Sequence, residues 1–133
     1  MTKVKYTTED LMAIAAFEKL TKAHVVDYIN GGDVAYFLID NVPVSTIIGK
    51  NGSKIREIEK TMGKKVKVFK FSKNLEEFVK NLILVDVKNT KVLKNDRKII
   101  VKVKVDKRYR PIVIGREGKN IKIIREFLRR WFD

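Results

Sequence analysis

The feature that most constrains this chain is an internal repeat, which places Gly115 66 residues after Gly49. Residues 40–58 align with residues 106–124, and each copy carries a Gly-x-x-Gly turn inside the same frame of isoleucines. A single Gly-x-x-Gly would carry little information, but two copies in one frame indicate two equivalent structural units. A chain of 133 residues with 44% hydrophobic residues has room for two small packed units. The matching pairs are Asp40 with Asp106, Ile48 with Ile114, Gly49 with Gly115, Gly52 with Gly118, Ile55 with Ile121, Arg56 with Lys122 and Ile58 with Ile124.

Apolar periodicity and turn residues predict the elements of the first copy. Asn41 is expected to cap a short helix that ends at the Gly-x-x-Gly turn, and Gly63 is expected to end the next one. Leu11, Ile14, Ala15 and Leu20 mark the expected buried stripe of the opening helix. The predicted order is a helix at 8–21, strands at 24–29 and 34–39, the short helix, a helix at 53–62 and a strand at 65–71.

The second copy repeats this order without its last member. A helix is predicted at 75–82, a first strand that begins with residues 83–87, and a second strand at 99–105. A helix is predicted at 119–131, with Ile121, Ile124, Leu128 and Trp131 as its core stripe. By the 66-residue offset, the final strand would fall at 131–137, so most of it is missing. We therefore expect two domains, at residues 1–72 and 73–133.

Residues 47–55, Ile-Ile-Gly-Lys-Asn-Gly-Ser-Lys-Ile, and residues 112–121, Ile-Val-Ile-Gly-Arg-Glu-Gly-Lys-Asn-Ile, resemble the signature of KH domains. The element order resembles the type II form, and two such units in a short chain resemble archaeal NusA-like transcription termination/antitermination factors. The resemblance implies an α+β fold of two tandem type II KH domains, the second lacking most of its last strand. It also implies binding of single-stranded RNA, and action with RNA polymerase on nascent RNA.

The Gly-x-x-Gly turn has a chemistry of its own. Glycine lacks a Cβ, so the backbone there can approach a sugar-phosphate chain closely. The turn also opens a helix, whose first N–H groups and positive dipole end favour phosphate. Lys50 and Arg116 add a cation inside each turn. Asn51 can donate to a phosphate oxygen, whereas Glu117 would repel one, pair with a neighbouring arginine or read a base.

KH domains hold about four nucleotides between this loop and an apolar groove. By the resemblance, the groove draws on Ile47, Ile48 and Ile55, with Val113, Ile114 and Ile121 in the second unit. The alternative for these aliphatic residues is burial in the core, whereas the doubled glycines favour a functional explanation. The predicted RNA-binding residues are Ile48, Gly49, Lys50, Asn51, Gly52, Lys54, Ile55 and Arg56, with Ile114, Gly115, Arg116, Glu117, Gly118, Lys119, Ile121 and Lys122.

The formal net charge of +14 and its distribution favour a polyanionic partner. Residues 1–49 hold four lysines against six acids, whereas residues 50–72 hold eight basic and two acidic residues. Residues 97–133 hold thirteen basic and four acidic residues. The alternative is the solvated, lysine-rich surface of a thermophile protein. The clustering of charge around the repeats favours nucleic acid.

Other functions are weighed against RNA binding. Type II KH units also occur in ribosomal proteins and ribosome-assembly factors, and that alternative stays open, although a GTPase is excluded because no Gly-x-x-x-x-Gly-Lys-Ser/Thr loop exists. An enzyme needs an acid–base pair or a metal cluster, and the chain offers no cysteine, a lone His24 and scattered acids. We therefore predict a protein that is not an enzyme, with no metal, cofactor or small-molecule substrate.

The remaining expectations concern location and assembly. No run of 18 apolar residues exists, so we expect no membrane association. The absence of cysteine fits a reducing cytoplasm. We expect a monomer.

Overall fold

The computed structural model describes residues 4–132 and forms two compact units. One unit is Lys5–Phe71, and the other holds the chain from Ser72 onward. Both combine helices with a small sheet, which confirms the predicted mixed α+β class.

The first unit follows the order α-β-β-α-α-β, as the resemblance implies. Strand β2 is central: β1 pairs with it antiparallel on one side and β3 pairs with it parallel on the other. Its helices are α1 (Thr8–Thr21), α2 (Val44–Ile48) and α3 (Ser53–Met62), and its strands are β1 (Val25–Asn30), β2 (Val34–Ile39) and β3 (Lys65–Lys70).

Helix α1 begins with a capping box, in which the Thr7 hydroxyl accepts from the Asp10 N–H and the Asp10 carboxylate accepts from the Thr7 N–H. Its buried side is set by Phe17, whose ring stacks on Phe37 of β2 at a centroid distance of 3.9 Å. The predicted buried face of α1 was therefore wrong: Leu11, which was expected to face the core, is 55% exposed. The aromatic pair decides which face turns inward because it buries more apolar area than a leucine would.

The core of this unit lies between β2 and the helices. Residues 35–39 of β2 are all buried, and Ala35, Phe37 and Ile39 belong to the core cluster. Val66 and Val68 of β3 join the same core cluster as Ile47 of α2 and Ile58 of α3. Gly63 ends α3 with a φ of 72°, as predicted.

The predicted cap of α2 was wrong. Pro43 occupies the N-cap position with no side-chain hydrogen bond, and Asn41 Oδ1 instead accepts from the His24 N–H at 2.6 Å. Asp40 does not cap either, since its carboxylate pairs with His24 Nδ1 at 2.8 Å. Asp106, its counterpart in the second copy, does cap the following turn by accepting from the Arg108 N–H at 3.1 Å.

The second unit has the order α-β-β-α-α within the described residues. Strands β4 and β5 pair antiparallel, with Val87 opposite Val105, and form a sheet of two strands. Its elements are α4 (Leu75–Leu82), β4 (Val87–Lys94), β5 (Ile99–Val105), α5 (Arg110–Ile114) and α6 (Lys119–Trp131).

Two predictions fail in this unit. Ile83 is the C-cap residue of α4 and is buried, and β4 begins at Val87 rather than at Ile83. The fully buried residue of α6 is Phe127, which the predicted stripe omitted, while Trp131 is half-buried. Residues one position apart on a helix lie about 100° apart, so the predicted stripe, which turned Leu128 inward, missed the neighbouring ring of Phe127.

Candidate nucleic-acid interface

The two Gly-x-x-Gly turns, here the first loop (residues 49–52) and the second loop (residues 115–118), share one backbone conformation. Gly49 has φ 74° and ψ 175°, and Gly115 has φ 78° and ψ 169°. Both loops then place their third residue in the left-handed region, Asn51 at φ 54° and Glu117 at φ 57°. Two different sequences therefore adopt the same turn, which the repeat predicts.

The glycines that open the loops are required by geometry. A Cβ on Gly49 would lie 2.9 Å from the Lys54 Cβ, and one on Gly115 would lie 2.8 Å from the Asn120 backbone nitrogen. Both also have ψ near 170° at positive φ, a region essentially limited to glycine. The turn therefore needs these glycines for steric reasons, apart from any role in binding a ligand.

Each loop leads into a helix whose N-terminus has no side-chain cap. Gly52 precedes α3 and Gly118 precedes α6, both in the left-handed conformation. Neither helix has an acidic residue in its first turn. The N–H groups and dipole at these helix starts are thus left to interact with an anion or with water.

Different side chains brace the two loops. In the first, the Arg56 Nη1 donates to the Asn51 carbonyl at 2.7 Å. In the second, the Asn120 Nδ2 donates to the Ile112 carbonyl at 3.0 Å. Sequence reasoning missed Asn120, since its amide acts through the geometry of α5 rather than through charge. The sequence feature that could have indicated this role is the short polar side chain of Asn120, five positions after Gly115.

The structure brings the predicted residues of each copy together around its own loop. Most of the predicted cations and polar residues are exposed: Lys50, Asn51, Lys54 and Arg56 in the first unit, and Arg116, Glu117, Lys119 and Lys122 in the second. Gly49, Gly52, Gly115 and Gly118 are half-buried. Each loop is therefore surrounded by accessible side chains, and a ligand can reach both.

The aliphatic residues beside the loops divide into two groups. Ile47 is only 3% exposed and belongs to the core, so it cannot line a groove as expected. Ile48 and its counterpart Ile114 are 39% and 49% exposed, so neither is a core residue. Ile55, Ile121 and Val113 are half-buried. The sequence missed Ile112, which is 54% exposed one residue before Val113.

Charge distinguishes the two loops. Glu117 is exposed, and no ion pair to it occurs among residues 4–132, so its charge faces solvent beside Arg116. Asn51 occupies the same position in the first loop without a charge. Near the second loop the Arg108 guanidinium lies 4.8 Å from the centroid of the Tyr109 ring, which covers one face of that ring. The first loop is the more favourable of the two for an anion.

Within the described part of the chain, no three histidine, aspartate or glutamate side chains cluster as metal ligands would. The described helices also include none that is long and apolar enough to span a membrane.

The KH-domain family model matches residues 34–81, which include β2, the first loop, α3 and β3. A probable transcription termination protein NusA of Methanococcus vannielii is 32% identical over 120 residues, covering 90% of this chain and 69% of that protein. This chain belongs to the NusA family.

Other members of the NusA family match along nearly the whole chain. The probable transcription termination protein NusA of Thermoplasma acidophilum is 28% identical over 136 residues, covering 100% of this chain and 93% of that protein. The crystal structure of APE1850 superposes with a TM-score of 0.75 at 28% identity, covering 96% of this chain and 94% of that one. The similarity thus includes both units.

Proposed function

We propose that this protein binds single-stranded RNA through both loops and acts as a transcription termination or antitermination factor together with RNA polymerase. Both units would be KH domains, at residues 1–72 and 73–133. The observation that carries the proposal is the shared backbone of the two loops, each opening an uncapped, basic helix. The name of the NusA relatives supports the transcription role.

The mechanism is one of positioning. Phosphates would lie against the backbone of residues 49–52 and 115–118, where the absent Cβ atoms allow a close approach. Lys50, Lys54 and Arg116 would neutralise them, and bases would lie on the exposed Ile48 and Ile114. No proton transfer or bond cleavage is involved, so the protein would bind RNA without acting as an enzyme.

Fluorescence anisotropy of labelled single-stranded RNA tests the binding. Competition by unlabelled double-stranded RNA and single-stranded DNA measures the preference, and titration at several salt concentrations measures the charge contribution. We expect single-stranded RNA to compete best and the affinity to fall steeply with salt. Equal competition by all three nucleic acids would mean that the net charge acts without a defined site.

The polymerase partner needs a separate experiment. Immobilised protein is incubated with purified RNA polymerase or with purified ribosomal subunits, each with and without nascent RNA. Retention of polymerase supports the proposal. Retention of ribosomal subunits alone would favour the ribosome-associated function that type II KH units also have.

A further inference from the structure

The sheet of the second unit has one face that stays open to solvent within the described chain. Side chains alternate between the two faces of a strand, and the inward ones, such as Val101 and Val103, are half-buried. The outward ones on both strands are all exposed. This exposed surface, here the lysine face, consists of Asn89, Lys91 and Leu93 of β4 with Ile100, Lys102 and Lys104 of β5.

The strand register places like charges opposite each other on the lysine face. Lys91 lies directly opposite Lys102, and Asn89 lies opposite Lys104. Like charges directly opposite each other destabilise an antiparallel pair. None of the three lysines forms an ion pair among residues 4–132. The hairpin therefore carries a charge repulsion that a bound anion would relieve.

The same face of the first unit has the opposite character. By the repeat offset, Lys102 and Lys104 correspond to Tyr36 and Leu38 of β2, which are 4% and 0% exposed. Residues 25–39, from β1 to β2, hold two acids and no base, whereas residues 87–105 hold seven basic residues and one acid. A merely solvated surface intersperses both signs of charge. The lysines are thus a feature of the second copy alone, which favours a specific polyanionic ligand there.

An apolar pair beside the lysines favours a nucleic-acid strand. Leu93 and Ile100 lie opposite each other on the lysine face and are 38% and 37% exposed. A single strand carries phosphates and apolar base faces along one chain, so it can contact lysines and this pair together. An acidic peptide on a sheet face gains no main-chain pairing, and exposed ion pairs alone contribute little.

We propose that the lysine face is a further RNA-binding surface, which holds the strand beyond the nucleotides bound at the second loop. Phosphates pair with Lys91, Lys102 and Lys104, and a base or ribose lies on Leu93 and Ile100. The inference rests on the proposed function, because the loop of the same unit supplies the strand at a high effective concentration.

A single-stranded RNA of about twelve nucleotides tests this with the full chain, since two loops at about four nucleotides each leave about four for a further contact. The hairpin variant is Lys91→Gln with Lys102→Gln and Lys104→Gln. The control variant, Lys19→Gln with Lys22→Gln and Lys80→Gln, removes three exposed lysines elsewhere and so has the same net charge.

Fluorescence anisotropy at several salt concentrations measures the affinity of each variant. The hairpin variant should bind at least about fivefold more weakly than the wild type at low salt. The slope of log affinity against log salt concentration should fall by about two, from about 0.7 for each of three lost phosphate contacts. The control variant should show much smaller changes in both.

Two further readouts separate lost binding from lost folding. The hairpin variant should resist urea at least as well as the wild type, because it removes the repulsion between Lys91 and Lys102. A markedly less stable variant would remove the basis of the inference. In the wild type, NMR should show the methyl groups of Leu93 and Ile100 shifting when the RNA binds. Methyl signals that stay unshifted while the RNA is bound at the loops would overturn the inference.

The failure of this inference is distinguishable from the failure of the proposed function. A wild type that binds no RNA would overturn both. RNA binding that is weakened by Lys50→Asp with Asn51→Asp, but equally little affected by the hairpin and control variants, would overturn the lysine face alone. Polyglutamate that shifts the same methyl groups as strongly as RNA would assign the face to acidic protein segments instead.

Discussion

The Arg56 guanidinium donates to the carbonyl of Asn51, so the base of α3 is tied to the left-handed residue of the first loop. Lys122, the counterpart of Arg56, has no planar fork with which to do the same. One cation therefore braces its loop and offers charge, whereas the other offers charge alone.

This difference predicts separable effects of two matched substitutions. Arg56→Met should speed amide hydrogen exchange in residues 49–52 and lower RNA affinity by about three- to tenfold, because it removes both the brace and a cation. Lys122→Met should lower affinity while leaving exchange in the second loop unchanged. Exchange measured by NMR on both variants checks this, and equal loosening of both loops would contradict it.

The loop glycines should be more costly to replace than a helix-ending glycine. Gly49 and Gly63 have similar φ, 74° and 72°, but only a Cβ on Gly49 would meet neighbouring atoms. Gly63→Ala should cost about 1 kcal/mol of unfolding free energy and Gly49→Ala about 2–3 kcal/mol. Urea denaturation of the two variants measures the difference, and similar costs would show that the close approach to Lys54 relaxes freely.

Glu117 should weaken the second loop. Glu117→Asn gives it the residue of the first loop, removes a charge that would repel phosphate, and suits the φ of 57° better. RNA affinity should rise roughly three- to tenfold, with a steeper salt dependence. Asn51→Glu is the reciprocal variant and should lower affinity by a similar factor. A loss of affinity in Glu117→Asn would instead indicate that the carboxylate reads a base.

Phe127 should stabilise the second unit more than Trp131. It is 0% exposed and lies at the centre of the inward face of α6. Phe127→Ala removes a buried ring and should cost about 3–5 kcal/mol, while Trp131→Ala, at a half-buried position, should cost less. Thermal or urea unfolding of both variants decides the order, and the reverse order would place the core nearer the end of α6.

The sequence predicted what depends on spacing. The bounds of α3, α4, β5 and α6 follow from apolar period and from glycines that stop or start helices, and these local signals agree with the packing. The shared backbone conformation of the two loops follows from the repeat. Prediction failed where contacts between residues distant in sequence determine the result. The buried face of α1 depends on the position of Phe37, and the Asn41 side chain accepts from the His24 N–H instead of capping α2.

The candidate site also has features that the sequence predicts and features that it does not. That the cations gather at the loops could be predicted, since they lie within a few residues of the glycines. The burial of Ile47 and the exposure of Ile48 could not be predicted. The two residues are neighbours of the same type, and only the direction in which α2 packs determines which of them is buried.

The central claim is that the first loop holds RNA by its backbone and the charge beside it. The direct measurement is the affinity for single-stranded RNA of Lys50→Asp with Asn51→Asp, against the control Thr8→Asp with Lys19→Asp, which makes the same change in net charge on α1. The account predicts at least about a tenfold loss for the loop variant and a much smaller one for the control. Equal losses in two folded variants would mean that binding follows net charge alone, and would contradict the account.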